Sequence, residues 1–112
     1  MIRQSYTAAV ERNCVWKGTF ATEPYESAWA KEAIFFVRAL ETTNVPSGTT
    51  ARVQISPDGM HWCDEGTKLN LPTKPDQVTF CQISQFGGWL RLVGELSSPA
   101  QIKVIVYLAL KE

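Results

Sequence analysis

Histidine is almost missing from this chain: among 112 residues there is one, His61. A general base works with a partner carboxylate or nucleophile held beside it, and the only nearby acids downstream, Asp64 and Glu65, lie on what reads as the descending arm of a hairpin. The plain account of His61 is a surface strand residue, and the expectation is a protein that is not an enzyme, with no catalytic residue and no cofactor. An excess of charge is missing too. Eleven Lys and Arg balance eleven Asp and Glu, so no basic surplus points to nucleic acid and no basic patch to a membrane surface. Arg38 and Arg52 are left without a role. No apolar run approaches the roughly 18 residues of a membrane span. The opening M-I-R-Q-S-Y-T has no apolar signal-peptide segment, so the expected setting is cytoplasmic. Cysteine is sparse and odd in number: Cys14, Cys63 and Cys81 show no C-x-x-C spacing, which suggests three reduced, buried thiols, with a 63–81 bridge as the lesser alternative. His61, Cys63 and Cys81, with Asp64 or Glu65, make a conceivable zinc set without paired-knuckle spacing. Asp58, Asp64 and Glu65 lack an Asp-x-Asp calcium loop. The expectation is therefore no metal. Gly87-Gly88 follows Phe86 in a plain turn and is no phosphate loop. Repeats, low-complexity tracts and linkers are absent as well, which leaves one domain over residues 1–112, long enough for a single core.

What is present is strand chemistry. In Ala51 to Glu65, A-R-V-Q-I-S-P-D-G-M-H-W-C-D-E, Val53 and Ile55 alternate with Arg52 and Gln54 and run into Ser56-Pro57-Asp58-Gly59. Proline presets φ, aspartate accepts from nearby amides and glycine takes positive φ without strain, so a hairpin turn is expected there. A three-residue loop would set Ile55 opposite His61; a four-residue loop would set Ile55 opposite Met60 and Val53 opposite Trp62. One residue of slip exchanges the faces. The second register is preferred because it buries the indole with Val53 and leaves His61 beside Gln54 on the wetter face.

Residues 1–12 read as an extended arm or edge strand, with Tyr6, Ala8 and Val10 alternating. Asn13 to Ala21 reads as a short strand and residues 22–26 as a loop broken by Pro24. Residues 28–40 have two readings. Trp29, Ala33, Phe36 and Leu40 mark a helix face, yet Ile34-Phe35-Phe36-Val37 suits a strand buried on both sides, and the β surroundings favour the strand. Further strands follow at residues 66–71, 77–83, 89–96 and 101–111. In the last, Ile102, Val104, Val106, Leu108 and Leu110 share one face, while Ile105 and Tyr107 put an apolar middle on the other. A sheet face meant for water is polar throughout, so something covers Ile105 and Tyr107: a loop of the chain or a neighbouring subunit. Short strands with Gly/Pro turns specify an all-β fold, an antiparallel β-sandwich.

The stretch V-Q-I-S-P-D-G-M-H-W (53–62), followed by G-G-W-L-R-L-V-G-E-L (87–96), resembles the turn-and-strand layout of galactose-binding-like (discoidin-type) jelly rolls. With the final Val106-Tyr107-Leu108-Ala109-Leu110-Lys111 it is also similar to small jelly-roll structural proteins of tailed-phage particles; the likeness spans roughly residues 28–111. That resemblance implies a capsid decoration, neck or tail component built as a symmetric homo-oligomer, hence a virion setting and a partner that is another copy or a larger assembly. The calcium loop and exposed aromatic or Arg side chains of the sugar-binding members have no counterparts that map onto this chain. The sialidase Asp-box, S-x-D-x-G-x-x-W, is close, but Gly59 follows Asp58 directly.

Four tryptophans complete the inventory: Trp16, Trp29, Trp62 and Trp89. Aromatic side chains carry large buried area in cores and interfaces, which is the simpler reading of the set. The expected subunit contact is Trp29, Phe36, Ile105 and Tyr107. The alternative function is a carbohydrate-binding module, for which Trp16 or Trp89 would be an exposed loop platform.

Overall fold

A computed structural model describes residues 5–112, all strand, turn and loop. Nine strands run in order: β1 (Ser5–Lys17), β2 (Thr19–Ala21), β3 (Tyr25–Glu26), β4 (Glu32–Ala39), β5 (Thr50–Ser56), β6 (Cys63–Asn70), β7 (Val78–Ser84), β8 (Trp89–Glu95) and β9 (Gln101–Lys111). They form two antiparallel sheets, one ordered β1-β9-β4-β7 and the other β2-β8-β5-β6, with β3 paired to β8. Apart from β2–β3 and the β5–β6 hairpin, successive strands cross between the sheets, so most neighbours in space are remote in sequence; this is jelly-roll topology. The expected all-β antiparallel sandwich is the observed one. No helix of the structure is long and apolar enough to cross a membrane.

Residues 28–40 resolve in favour of the strand. β4 turns Ala33, Phe35, Val37 and Ala39 into the core and Ile34, Phe36 and Arg38 outward. β9 does as its parity demands: Ile102, Val104, Val106, Leu108 and Leu110 are all at or below 1 % exposure. The facing sheet contributes Val53, Leu69, Leu90 and Leu92, each likewise almost wholly buried. The first segment differs from its sequence reading. The arm and the first part of the short strand, to Lys17, are one 13-residue edge strand from Ser5, bent by register shifts between Ala9 and Glu11 and between Glu11 and Cys14, and the rest of the short strand is β2 of the other sheet. Bulges of this kind add twist to a sheet edge, and they let one strand follow β9 along its length. Residues 1–4 of the expected arm lie outside the described residues. The loop expected at 22–26 ends in a strand, since Tyr25 and Glu26 are β3, and its first residue also does more than connect. Thr22 is buried and exchanges bonds with Leu92, its amide donating to the Leu92 carbonyl at 2.9 Å and its Oγ1 accepting from the Leu92 amide at 3.0 Å.

The chain changes sheets at Gly18, whose φ of +60° is a left-handed value. That corner folds Phe20 of β2 back over Trp16 of β1, with ring centroids 4.1 Å apart and planes 11° from parallel. Phe20 in turn lies on Gly94 of β8, where an added Cβ would stand 2.5 Å from the Phe20 Cζ. Indole, phenyl and bare glycine form a stack joining the two sheets, and the phenyl has nowhere to retreat. Replacing Gly94 by alanine is therefore expected to destabilise the fold by about 1–3 kcal/mol through overpacking, read as a lower urea midpoint with an unchanged slope.

Candidate functional site

The hairpin loop between β5 and β6 is built around two side chains. Ser56 Oγ accepts from the amides of Asp58 (3.2 Å) and Gly59 (2.8 Å) and donates to Asp58 Oδ1 (3.0 Å). Asp58 Oδ1 accepts from the amides of Met60 (2.8 Å) and His61 (2.9 Å), and Oδ2 meets His61 Nδ1 at 2.7 Å. These side-chain bonds replace ladder bonds over residues 57–62. Both expected registers are therefore corrected: Ile55 pairs with Cys63 and Gln54 with Asp64, and a bulge then sets Arg52 opposite Lys68. Turn chemistry was visible in Ser56-Pro57-Asp58-Gly59, but its demand for Met60, His61 and Trp62 as loop residues was not. Gly59 has φ +80°, and a Cβ there would come within 3.1 Å of the Trp89 ring, so the loop closes down as a lid on that indole.

This loop answers the question of His61. Its ring is 81 % exposed and braced by Asp58, while Asp64 is the residue that stands beside Gln54. The three groups Ser56, Asp58 and His61 touch, but Asp58 stands between the other two, so the imidazole has no contact with the hydroxyl. The hydroxyl itself is buried and already donating. The conceivable zinc set is dispersed: Cys63 is exposed on β6 and Cys81 is buried on β7 of the other sheet. Among the described residues no three His, Cys, Asp or Glu side chains gather as a metal site. The thiols are free, and the expectation that all three are buried holds only for Cys81, since Cys14 is half-buried and Cys63 open. Burial pushes the Cys81 thiol up to about 11, away from nucleophilic use.

The two outer faces of the sandwich differ in kind. On the β2-β8-β5-β6 face, Arg52 grips Glu95 with both terminal nitrogens (2.7 and 3.0 Å) and reaches Asp64 through Nε (3.3 Å). Gln54 links Asp64 (2.9 Å) to Arg91 (2.9 Å), and the Arg91 guanidinium lies 4.2 Å from the Trp62 ring centre. Each of these polar groups has a partner in its own chain. Trp62 is thus half-buried on the outside of the sheet, where the expected register had placed it inside with Val53.

The β1-β9-β4-β7 face is apolar across its middle. Registered pairs place Ala9, Tyr107, Phe36 and Phe80 in one row from edge to edge. Ile105, Arg38 and Val78 form the next row, and Ala109, Ile34 and Gln82 the row on the other side. Phe80 is 59 % exposed and Val78 52 %, and the Phe36 and Phe80 rings are 6.1 Å apart. Lone exposed apolar residues are ordinary; a contiguous patch marks an interaction surface. Three of the four residues expected at a subunit contact, Phe36, Ile105 and Tyr107, lie together here. Trp29 does not: it sits in the Ser27–Ala30 turn before β4, 38 % exposed. Sequence reasoning missed Phe80 and Val78. Their parity on β7 was plain, but parity alone does not say which face of a strand is the inner one. The Nε of Arg38 is buried in this face without a hydrogen-bond partner among the described residues.

Of the two residues of the alternative sugar platform, Trp16 is not the expected exposed loop residue. Trp16 is 2 % exposed within the core stack, and Trp89 is half-buried at the start of β8 under Gly59.

No known protein family matches the sequence, and no curated protein matches it either. Solved structures do. The crystal structure of the SPBc2 prophage-derived protein YomS superposes with a TM-score of 0.60 at 7 % identity, covering 100 % of this chain and 96 % of that one. A CBM32 domain from Clostridium perfringens, solved with GalNAc-β-1,3-galactose, matches with a TM-score of 0.46 at 12 % identity over 93 % of this chain and 94 % of that one. The first of these likenesses bears out the jelly-roll resemblance at the level of fold.

The lid carries a test. Four of its hydrogen bonds end on the Asp58 carboxylate, and the two amides of His61 and Met60 hold that group well below the usual carboxylate range. A depressed folded-state value means that the contribution is complete above the unfolded value near 3.9 and is lost only as pH falls through the folded one. Amide exchange at Met60 and His61 is expected to stay slow at mildly acidic pH and to quicken only in strong acid. Asp58→Ala is expected to quicken it at neutral pH and to shift Trp89 fluorescence to the red.

Proposed function

We propose that this protein is a non-enzymatic assembly component, a β-sandwich whose work is to associate with copies of itself through the outer face of the β1-β9-β4-β7 sheet, as a part of a phage-type particle. The observation that carries the reading is the row Ala9–Tyr107–Phe36–Phe80, an apolar band crossing a whole sheet face with its outermost ring 59 % exposed. Two neighbouring facts support it. The other outer face is closed by its own ion pairs and hydrogen bonds, so the two faces have different tasks. The sole imidazole is engaged as a brace of the β5–β6 loop, a structural duty. The phage part of the proposal is supported by a prophage-derived protein having the same fold over the full chain.

The area suits a stable contact. Four strands at about 4.8 Å spacing, the shorter two, β4 and β7, with four outward side chains each, give a face of roughly 20 by 25 Å. Side-chain relief brings that to the order of the about 800 Å² per partner of a standard interface. Sheets stack face to face about 10 Å apart with interleaved side chains, so a second copy is a natural occupant. Closed symmetric homo-oligomers are the commonest outcome of such self-complementary faces.

Light scattering at rising concentration is expected to give a multiple of the 12.5 kDa chain mass. Phe80→Glu is expected to return the mass to a single chain without lowering the unfolding midpoint of the isolated subunit, because the ring contributes little to the core. A wild-type chain that stays single at high concentration would end the proposal.

A further inference from the structure

The apolar face is a wedge. In the row through Phe36 its β7 side carries the thick Phe80 and its β1 side the thin Ala9, and in the next row Gln82 stands across from Thr7; the exposed Val15 of β1 lies farther along, beside Lys103. Two copies stacked on this face are related by a two-fold axis lying in the plane of contact, and for the strands of the two copies to stack aligned, within about 30°, that axis runs close to either the strand direction or its perpendicular. An axis across the strands lays β1 on β1 and β7 on β7, which sets thick against thick at one side and leaves a gap at the other. An axis along the strands, between β4 and β9, lays β9 on the partner's β4 and β1 on the partner's β7.

Resting on the self-association reading, we infer that the two-fold runs along the strands between β4 and β9, because the rows through Phe36 and Ile34 are then complementary to themselves, while the row Ile105–Arg38–Val78 lays Ile105 along the stem of the partner's Arg38. Phe80 meets the partner's Ala9 and Phe36 meets the partner's Tyr107, from the row Ala9–Tyr107–Phe36–Phe80. One row along, Ile34 meets the partner's Ala109; at the end of the strands Glu32 meets the partner's Lys111. Large side chains fall on small ones, two aromatic rings come together and opposite charges close the rim twice. This is how a buried centre and a polar rim are built in a two-fold interface. Complementary rim charges also select this orientation over others.

The test is an exchange of sizes. Ala9→Phe and Phe80→Ala are each expected to weaken association by roughly tenfold or more, the scale of a lost aromatic anchor. The double variant A9F/F80A is expected to recover it to within a few-fold. Within one chain the two positions are three strand spacings apart, about 14 Å, with Tyr107 and Phe36 between them, so recovery can arise only between copies. Mixing the two single variants is expected to yield the mixed pair in preference to either like pair, because both of its contacts are complementary. Should A9F fail to fold, as judged by circular dichroism, Ala9→Leu with Phe80→Val repeats the exchange in a smaller step. Association of the wild type without recovery in the double variant, or without preference in the mixture, overturns the axis while leaving self-association standing. A wild type that is a single chain removes both.

Discussion

β9 is hydrogen-bonded on both sides along most of its length, to β1 from Gln101 to Lys111 and to β4 from Val104 to Lys111. That double pairing sorts its side chains. Five branched apolar residues go inward, where the second sheet covers them, and Lys103, Ile105, Tyr107, Ala109 and Lys111 go outward. Because paired residues in antiparallel strands share a face, the same register also determines what β1, β4 and β7 can present beside Ile105 and Tyr107. The core and the outer apolar band are thus two sides of one hydrogen-bonded ladder. A one-residue slip of β9 would spoil both at once.

The contrast between the two outer faces has a physical basis. Exposed ion pairs are individually weak, but Arg52 is bidentate to Glu95 and shares Asp64 with Gln54, which makes a connected network. Glu95 is held below its usual value chiefly by its hydrogen bonds to Arg52, and Asp64 chiefly by its bond to Gln54. A partner docking there would have to strip water from those charges, and their mutual satisfaction offers it little in return. On the other face the exchange runs the opposite way. Removing Phe80 and Val78 from water is favourable, and few polar groups are stripped in doing so. The Arg38 Nε, buried without a hydrogen-bond partner among the described residues, is an exception.

Much of this was legible in the sequence because strand periodicity is a local signal. The alternation in Gln101–Lys111 specifies a strand with a core face, and the β-branched and aromatic run Ile34–Val37 outweighs a fortuitous helix pattern through Trp29, Ala33, Phe36 and Leu40. The expectation of an apolar second face came from Ile105 and Tyr107 alone, and the chain does present them with Phe36. What was not legible depends on contacts between distant residues. The register of β5 against β6 is set by Ser56 and Asp58 taking four amides between them, which no count of loop length reveals. The exposures of Trp16 and Trp89 are set by Phe20 and Gly59, residues that reach them only once the strands have crossed. Phe80 points outward because Cys81 and Ile83 are the β7 residues that reach the core.

The order in which these strands leave the ribosome differs from the order in which they sit side by side. Ser5 and Lys111 are neighbours across a ladder although more than a hundred positions separate them. Pairings of such long span are entropically costly to start and slow to form. β1 and β4 are both made well before β9 arrives to lie between them. In the meantime each has an open flank bearing unbonded amides and carbonyls, the kind of edge that recruits stray strands from other chains. Until β9 is made, this polypeptide has no sheet partner for β1 and only β7 for β4. Its four-stranded layer is finished from the middle and not from the rim.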